Sequence, residues 1–482
     1  MPNHRHPAAG GTPCPTTVIP PQAGPPAGGW CRLGKVDLMT ASISWPRRVR
    51  GALIVSAFAL ALSACTGGNT TPPTPTTTSG TPTGTITLAH FYSDREAGVI
   101  QQAVDNFTAA YPGIKVSVQS GQDDRQMREA IADGQAIDVA ITEAGDQLGV
   151  LCSSGSFVNL APFTRKDGTD LGLLLPNAAA YTEFQGKRCA LPMMGNATGL
   201  YYNTDMFHDA GITSPPKTLD QLAADAVKLT TYNDDGSIAT LGFMPFMEYY
   251  ETTVPGMAVT VQAKWFDDAG KSTVGTDPGW KTLLNWQKNL INKLGGYKKI
   301  NAWMADSGDE FSEQNDFYFG RVAMMIDPQS RMTYIASEAP DMNYAVAPLP
   351  MSTDHVAAYG AGLVGGSLIG IPKGSKNPEA AWLLVKFLAM DTDTQVLIGN
   401  GLKIVPTLTS AVNSPALKKD ANYQVFLDAA LNPGSMASPT TVIGVDYQDL
   451  MAQFVQDWES GEAKDLQAGL TDVAAQIDEA LT

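Results

Sequence analysis

Histidine and cysteine are both scarce in this chain, whose 482 residues include five of each. Only His90, His208 and His355 fall downstream of residue 64, and they are far apart in the sequence. A metal site built from Cys and His needs several such ligands, so the sequence predicts no metal. The G-x-S-x-G, H-E-x-x-H and phosphate-binding-loop motifs are also absent, which excludes those catalytic signatures and leaves no cofactor predicted.

The apolar segment at residues 51–62 is too short to span a bilayer, which needs about 20 apolar residues. It follows Arg47, Arg48 and Arg50, and a positive region before a short apolar region is typical of an export signal. The segment ends in the sequence LSAC at residues 62–65, which resembles the lipobox of bacterial lipoproteins. We therefore predict a lipoprotein signal peptide at residues 39–64 and lipidation at Cys65. The alternative is an ordinary secretory signal followed by a chance cysteine.

Residues 65–85 are rich in Thr and Pro, and the part after Cys65 lacks large apolar side chains. This composition predicts an extended, solvated and flexible linker. Acyl chains at Cys65 would anchor the protein to the outer face of the cell membrane, while the linker lets the folded part stand away from it. Residues 1–38 fit no part of this design, and Met39 would give a signal of normal length. We interpret residues 1–38 as a mis-called N-terminal extension.

Acidic residues outnumber basic ones by 48 to 32, which gives the chain a formal net charge of −16. A strongly acidic exported protein is a poor candidate for binding nucleic acid or an anionic membrane surface. The sequence therefore predicts no nucleic-acid partner and contact with the membrane only through the lipid.

Two cysteines, Cys152 and Cys189, remain downstream of Cys65. If Cys65 is acylated, they form an even pair in an oxidising compartment, and we predict a disulfide between them. The alternative is two buried free thiols.

Strand and helix patterns alternate downstream of residue 84. The apolar spacing predicts, in order, strand 85–90, helix 98–111, strand 114–118, helix 125–134 and strand 137–141. This alternation indicates an α/β fold with a parallel sheet. Ligands of such sheets gather at the carboxyl ends of the strands, so the loops at residues 91–95 and 142–147 are the first candidates for a site.

Four segments, in order along the chain, carry a resemblance to one family. They lie at residues 186–222, 265–270, 319–326 and 365–382, with the sequences LYYN (200–203), WFDDAG (265–270), FGRVAMMI (319–326) and GGSLIGIPK (365–373) among them. In these segments the chain resembles the extracellular solute-binding proteins of bacterial ABC importers, in the carbohydrate-binding group that includes maltose-binding proteins.

The resemblance implies a two-lobe periplasmic-binding-protein type II fold, with a ligand cleft between lobes that are joined by crossing hinge segments. The implied crossings lie near residues 195–198, 365–371 and 405–407. Lobe 1 would then comprise residues 86–195 and 366–405, and lobe 2 residues 196–365 and 406–482. The implied function is that of a monomeric receptor that closes by hinge rotation around a carbohydrate and delivers it to the permease subunits.

A sugar presents hydroxyl groups at its rim and weakly apolar faces, so its site needs carboxylates, amides and aromatic rings. The loops after the first and third predicted strands supply five candidates: Tyr92, Asp94, Arg95, Glu143 and Asp146. Segments placed by the resemblance supply six more: Asn196, Glu248, Tyr249, Trp265, Gln329 and Arg331. Four further residues are candidate rim donors and acceptors: Gly366, Ser367, Asp446 and Tyr447.

Several of these candidates also have a purely structural interpretation. Asp94 and Arg95 would instead cap the following helix. Tyr249 would pack beneath its own loop, and Trp265 would belong to the core. Because Arg95 and Arg331 are the only basic candidates, a phosphate-bearing ligand is disfavoured.

A secreted, lipid-anchored carbohydrate-active enzyme is the alternative function, because paired catalytic carboxylates cannot be recognised from sequence spacing. The G-x-G-x-x-G pattern at residues 360–365 does not open a helix after a first strand. We interpret it as loop glycines and not as a dinucleotide site.

Overall fold

The computed structural model describes residues 82–143 and 145–482 of the chain. The predicted N-terminal extension, the signal peptide, the lipidation site at Cys65 and most of the linker lie outside these residues. Within the described ranges, no helix combines the length and the apolar composition that crossing a membrane requires.

Nine β-strands run through the described residues. They are β1 (Gly84–His90), β2 (Ile114–Gln119), β3 (Val139–Thr142), β4 (Ala190–Asn203), β5 (Thr231–Tyr232), β6 (Ile238–Phe243), β7 (Val322–Pro328), β8 (Tyr344–Ala347) and β9 (Val364–Gly370).

Seventeen α-helices surround these strands in the same part of the chain. They are α1 (Asp94–Ala110), α2 (Asp124–Ala132), α3 (Leu148–Ser153), α4 (Ala161–Asp167), α5 (Pro176–Ala180), α6 (Thr204–Asp209), α7 (Leu219–Leu229), α8 (Val254–Val259), α9 (Pro278–Lys293), α10 (Tyr297–Met304), α11 (Arg331–Glu338), α12 (Pro378–Met390), α13 (Thr392–Leu402), α14 (Thr409–Val412), α15 (Ala421–Leu431), α16 (Asp446–Ser460) and α17 (Leu466–Ala480). Short 3₁₀ turns lie at Gly145–Gln147, Leu171–Leu173 and Thr353–Ala358.

The first five elements confirm the predicted strand–helix alternation. β1 pairs in parallel with both β2 and β3, as a parallel α/β unit requires. α1 begins four residues earlier than predicted, because its first turn carries the acidic residues Asp94 and Glu96 and not apolar ones. Acidic side chains suit the positive end of a helix dipole, so this turn is helical although it shows no apolar periodicity.

A long strand, β4, links two halves of one mixed sheet. The strand order is β2-β1-β3-β9-β4-β7-β6-β5, and β8 also pairs with β4. Residues 190–197 of β4 pair antiparallel with β9, whereas residues 198–203 pair antiparallel with β7 and β8. We call the part with β1, β2, β3 and β9 the first half, and the part with β5 to β8 the second half. The G-x-G-x-x-G pattern at residues 360–365 leads into β9 and not into a helix, as interpreted.

Buried apolar side chains cover both faces of the first half. Ile86 and Leu88 of β1 and Ile369 of β9, all fully buried, belong to a cluster shared with α1, α12 and α13. Ala89, which points to the other face because strand side chains alternate, belongs to a second cluster. This second cluster continues along β4 and includes Tyr201 in the second half. The fold is therefore α/β, with cores on either side of the sheet.

Cys152 and Cys189 form a disulfide with their Cα atoms 5.7 Å apart, as predicted. Both residues are buried. The bond joins α3 to the residue that immediately precedes β4, so it ties the helices after β3 to the start of the strand that links the two halves.

Candidate ligand-binding cleft

Two connected cavities lie where the carboxyl ends of β1 and β3 meet the β4–β9 pair. Their volumes are about 500 Å³ and about 280 Å³. Glu143, Asn196, Glu251 and Pro328 line both cavities, so we treat the two as one cleft. These volumes suit a small-molecule ligand.

The first half of the sheet supplies one wall of the larger cavity. Phe91 and Tyr92 follow β1, and their ring centres lie 4.0 Å apart. The Tyr92 hydroxyl lies 3.4 Å from Oγ of Ser367 on β9. Glu96 of α1 and Asp123, which caps α2, add carboxylates to this wall. The wall thus combines aromatic faces with hydrogen-bond acceptors.

Glu143 follows β3 and extends into the cleft from the same wall. Its side chain is exposed to the cleft, and its backbone N–H donates to Oδ1 of Asp124 at 2.9 Å. Desolvation raises the pKa of Glu143, and the nearby carboxylates of Asp124 and Glu251 raise it further.

The second half of the sheet supplies the opposite wall. Glu251, Phe311, Ser330 and Tyr334 line the larger cavity there. The Phe311 and Tyr334 ring centres lie 5.4 Å apart. Burial raises the pKa of Glu251, while the charge of Arg331 opposes that rise. Sequence reasoning missed all four residues. Glu251, Phe311 and Tyr334 follow no predicted strand, and at the end of the 322–326 strand the prediction chose the neighbours of Ser330, Gln329 and Arg331.

Arg331, a predicted ligand residue, lies behind this wall and not in the cleft. Only 1% of its side chain is exposed. Its Nε donates to Oδ2 of Asp327 at 2.9 Å, and its Nη2 donates to Oε1 of Glu310 at 2.6 Å. The guanidinium lies 5.2 Å from the Phe311 ring centre and 5.6 Å from that of Tyr334. A buried guanidinium needs such partners, so Arg331 supports the aromatic wall from behind.

Gln329, also predicted to bind ligand, is fully buried against the β4 crossing. Its side chain bonds to three consecutive residues: Gly195, Asn196 and Ala197. Asn196 itself is exposed in the cleft. Gln329 therefore contacts a cleft residue without lining the cleft.

The loop at residues 248–252 brings a different residue into the cleft than the sequence predicted. Tyr249 is 5% exposed and donates from its hydroxyl to Oδ2 of Asp316 at 2.7 Å. Glu248 accepts from the Val254 N–H at 3.1 Å. Neither lines the cleft, because positive φ angles at Glu248 and Tyr250 turn the loop so that Glu251 does.

Trp265, Tyr447 and Asp446 lie away from the cleft, in contrast to the prediction. Trp265 packs edge-on against Tyr447 and Trp280, with ring centres 4.9 Å and 4.5 Å apart, respectively. Tyr447 is fully buried and donates from its hydroxyl to the Pro439 carbonyl at 3.0 Å. These rings form core, which was the structural interpretation of Trp265. Asp446 is an exposed residue in the first turn of α16.

Asp94 and Arg95 also lie outside the cleft. Both are in the first turn of α1, and Arg95 donates to the Gly401 carbonyl at 3.0 Å. They lie at the start of the helix but do not cap it, because the N-cap residue is Ser93 and no side chain makes a capping bond there.

The smaller cavity is lined by Asp146, Tyr181 and Gly366, among others. Oδ2 of Asp146 accepts from Nε2 of Gln448 at 3.0 Å. Oδ1 of Asp146 and the hydroxyl of Tyr181 are buried and have no hydrogen-bond partner among the described residues. Burial raises the pKa of both groups. Tyr181 was missed by sequence reasoning, since it follows a short helix with no motif.

Six of the fifteen predicted site residues thus line the cleft. They are Tyr92, Glu143, Asp146, Asn196, Gly366 and Ser367. All of them follow β1 or β3 or lie in the β4–β9 pair. In the described part of the chain, no group of three or more His, Cys, Asp or Glu side chains is arranged to hold a metal ion.

Comparison with known proteins assigns the chain to a family. The model of the bacterial extracellular solute-binding protein family matches residues 93–393, more than half of the chain. The chain belongs to this family. The resemblance inferred from the sequence is therefore confirmed.

Curated relatives and solved structures agree with this assignment. The maltotriose-binding protein of Pyrococcus abyssi is 24% identical over 340 residues, which are 70% of this chain and 69% of that protein. The structure of CpMnBP1 with mannotriose bound aligns with a TM-score of 0.71 at 22% identity, over 81% of this chain and 99% of that one. The sugar-binding protein MalE of Xanthomonas citri aligns with a TM-score of 0.68 at 19% identity, over 83% of this chain and 97% of that one. These neighbours establish the two-lobe fold.

Proposed function

We propose that this solute-binding protein receives a carbohydrate in the cleft and delivers it to an ABC permease, while a lipid at Cys65 holds it at the outer face of the membrane. The observation that carries the proposal is the composition of the two walls. Phe91 and Tyr92 face the cleft from one half of the sheet, and Phe311 and Tyr334 from the other. Aromatic faces on both walls, interleaved with carboxylates and one amide, suit the alternating apolar faces and hydroxyl rims of a sugar.

The crossing segments support closure around the ligand. Gly195 of β4 pairs with Gly366 of β9, and it exchanges backbone hydrogen bonds with Val405 at 2.7 and 2.9 Å. Three passes of the chain thus run side by side at the level of the cleft, which suits a hinge. Gly366 has a φ of +144°, and a Cβ there would lie 2.0 Å from the Met194 carbonyl oxygen, so only glycine fits. This arrangement supports the proposed lobe boundaries at residues 195, 365 and 405.

Binding energy from both walls is what would select the closed form. A ligand that contacts only one wall binds the open and closed forms equally, so it does not shift the equilibrium between them. Glu143 and Glu251 extend from opposite walls, and Asn196 lies on the crossing between them. A sugar that bonds to all three residues would stabilise the closed form that a permease recognises.

Calorimetry with a carbohydrate panel tests the proposal. The Cys65→Ser chain keeps every described residue and avoids the lipid. We expect saturable binding of at least one sugar class, a smaller radius of gyration by X-ray scattering on saturation, and recovery of the sugar intact. Asn196→Ala should weaken that binding about tenfold or more, which is about 1.4 kcal/mol. The matched surface variant Glu313→Gln should bind as the parent does. Absence of binding to every sugar, or recovery of a cleaved one, would overturn the proposal.

Metabolic labelling tests the anchor separately. The full chain, expressed in a bacterial host with an alkyne-bearing fatty acid, should incorporate the label and sediment with membranes. The Cys65→Ser chain should do neither. Equal labelling of the two chains would contradict lipidation at Cys65.

A further inference from the structure

The cleft is acidic, and its lining contains no basic side chain among the described residues. Five carboxylates line it: Glu96, Asp123, Glu143, Asp146 and Glu251. A neutral sugar needs acceptors, but it does not need five negative charges gathered around it. Each unneutralised carboxylate in a partly desolvated site raises the free energy of its neighbours.

The nearest cations lie outside the cleft and offset this charge only in part. Arg95 lies 3.9 Å from Glu96, but its side chain is 54% exposed and donates to a backbone carbonyl outside the cleft. Arg331 already forms two ion pairs, one with the buried Asp327 and one with the partly buried Glu310. No ion pair in the described residues involves Glu143, Asp146 or Glu251.

The negative charge of Glu143 and Glu251 would affect hinge closure. They extend from opposite walls, and each lines both cavities. The negative charge of Glu251 acts on Glu143 in the structure as it stands. Hinge closure would bring the two carboxylates nearer and would also remove water from between them, so their repulsion would oppose closure unless a cation lay between them.

A second, independent feature is a pair of polar atoms in the smaller cavity that have no hydrogen-bond partner among the described residues. Tyr181 is 6% exposed, lines the smaller cavity, and its hydroxyl has no hydrogen-bond partner among the described residues. Oδ1 of Asp146, in the same cavity, also has none there. Buried polar atoms are nearly always hydrogen-bonded, so a ligand with hydrogen-bonding groups suits this cavity. A carboxylate oxygen accepts only, and a charged N–H donor is its strongest partner.

A bound metal ion is not the natural source of the positive charge. The described cleft residues include no trio of acidic or imidazole side chains arranged around one point. The carboxylates are instead distributed over two walls and two cavities, which suits an organic cation that spans them.

We propose that the ligand is a carbohydrate bearing a protonated amine, which lies between Glu143 and Glu251 and lets the cleft close. This inference rests on the carbohydrate-binding function proposed above and specifies its ligand class. The ammonium group replaces the missing cation, and the sugar rings occupy the aromatic faces of both walls. Glu143 and Glu251 are the residues that determine specificity for the charge.

Matched sugar pairs test this inference apart from the general function. Glucosamine oligomers of one to four units, their N-acetylated forms and the corresponding neutral glucose oligomers would be titrated into the Cys65→Ser chain by calorimetry. We expect the amine form to bind at least about tenfold more tightly than either neutral counterpart. The preference should shrink between about 0.05 M and about 0.5 M salt, because salt screens charge attraction.

Variants at the two carboxylates complete the test. Glu143→Gln and Glu251→Gln should each lower the affinity for the amine much more than the affinity for the neutral forms, and so remove most of the preference. The melting temperature of each variant checks that it is folded, and Glu313→Gln is the exposed control. If neutral sugars bind as tightly as amines, or if both variants keep the preference, the amine inference is overturned and the carbohydrate function stands. If no member of any series or of the wider panel binds, both are overturned.

Discussion

The side-chain amide of Gln329 holds Asn196 in the cleft. Nε2 of Gln329 donates to Oδ1 of Asn196 at 2.8 Å and to the Gly195 carbonyl at 3.1 Å, and its Oε1 accepts from the Ala197 N–H at 2.9 Å. A residue that follows β7 thereby orients a residue of β4 at the point where the chain crosses between halves. Because Oδ1 of Asn196 is committed to Gln329, the Nδ2 group of Asn196 is the one to offer a ligand.

Replacing Gln329 should therefore reduce both stability and affinity. Gln329→Met keeps the volume but leaves the buried Ala197 N–H without its partner, while the Gly195 carbonyl keeps only its bond from the Val405 N–H. One unsatisfied group costs about 1–3 kcal/mol, so we expect a loss of that size in the free energy of unfolding. Urea denaturation measures that loss, and calorimetry with the identified sugar measures the accompanying drop in affinity. The exposed Gln476→Met on α17 is the control. Equal stability of Gln329→Met and the parent chain would show that water replaces these bonds.

Local sequence patterns were enough to predict the parallel strands in the first half of the sheet. The elements β1, α1, β2, α2 and β3 are consecutive in the chain, and each one shows its own apolar periodicity. The cleft residues that follow those strands, such as Tyr92 and Glu143, were predicted for the same reason. The carboxyl ends of parallel neighbours meet at one edge of a sheet, whatever the rest of the chain does.

The other wall was harder to predict, because its residues are set by tertiary contacts. Arg331 and Glu251 are both charged, yet Arg331 is buried by ion pairs with Asp327 and Glu310, while Glu251 lines the cleft. Two positive φ angles decide that Glu251 lines the cleft in place of Glu248 or Tyr249. Such a turn has no signature when the residues involved are not glycine.

The disulfide should contribute substantially to stability. It closes a loop with a sequence separation of 37 residues. For a loop of this length, the chain-entropy account gives about 4 kcal/mol. We expect the double variant Cys152→Ala and Cys189→Ala to lose about that much in urea denaturation, and the parent chain to lose a similar amount in reductant. If reductant leaves the unfolding curve of the parent chain unchanged, while peptide mapping finds both thiols free, the disulfide does not form in solution.

Glu459 should make the protein less stable at alkaline pH. It is 3% exposed, accepts from the Met247 N–H at 2.8 Å and from Nε2 of Gln287 at 2.5 Å, and burial raises its pKa to about 8. The folded state thus holds a proton that the unfolded state releases near pH 4.5. The stability this proton provides is complete below that pH and is lost as the pH rises toward 8.

A neutral residue of the same shape at position 459 should remove this pH dependence of stability. Glu459→Gln should match the parent chain near pH 5 and exceed its unfolding free energy at pH 8, by up to about 5 kcal/mol. Urea denaturation at both pH values measures the difference, and the exposed Glu479→Gln on α17 serves as the control. A variant that is destabilised at both pH values would show that the carboxylate itself, and not its protonated form, is the stabilising species.

His90 should have the opposite effect and destabilise the fold in acid. Its ring is fully buried at the end of β1, beside the Tyr92 backbone. Burial lowers its pKa to about 4 from the ordinary value of 6.5. Between these two pH values the imidazole binds a proton in the unfolded state but not in the folded state. The free energy of unfolding is therefore highest above pH 6.5 and falls as the pH drops toward 4.

His90→Leu should flatten this part of the stability profile. The shift corresponds to about 3 kcal/mol, so the unfolding free energy of the variant relative to the parent chain should rise by up to that amount between pH 7 and pH 4. A series of urea denaturations over this range measures the relative slope. His208→Leu, at a side chain that is 89% exposed, should run parallel to the parent chain. If His90→Leu also runs parallel, the buried imidazole is protonated in the folded state. A proton acceptor would then have to reach this ring, next to Tyr92 on the wall of the cleft.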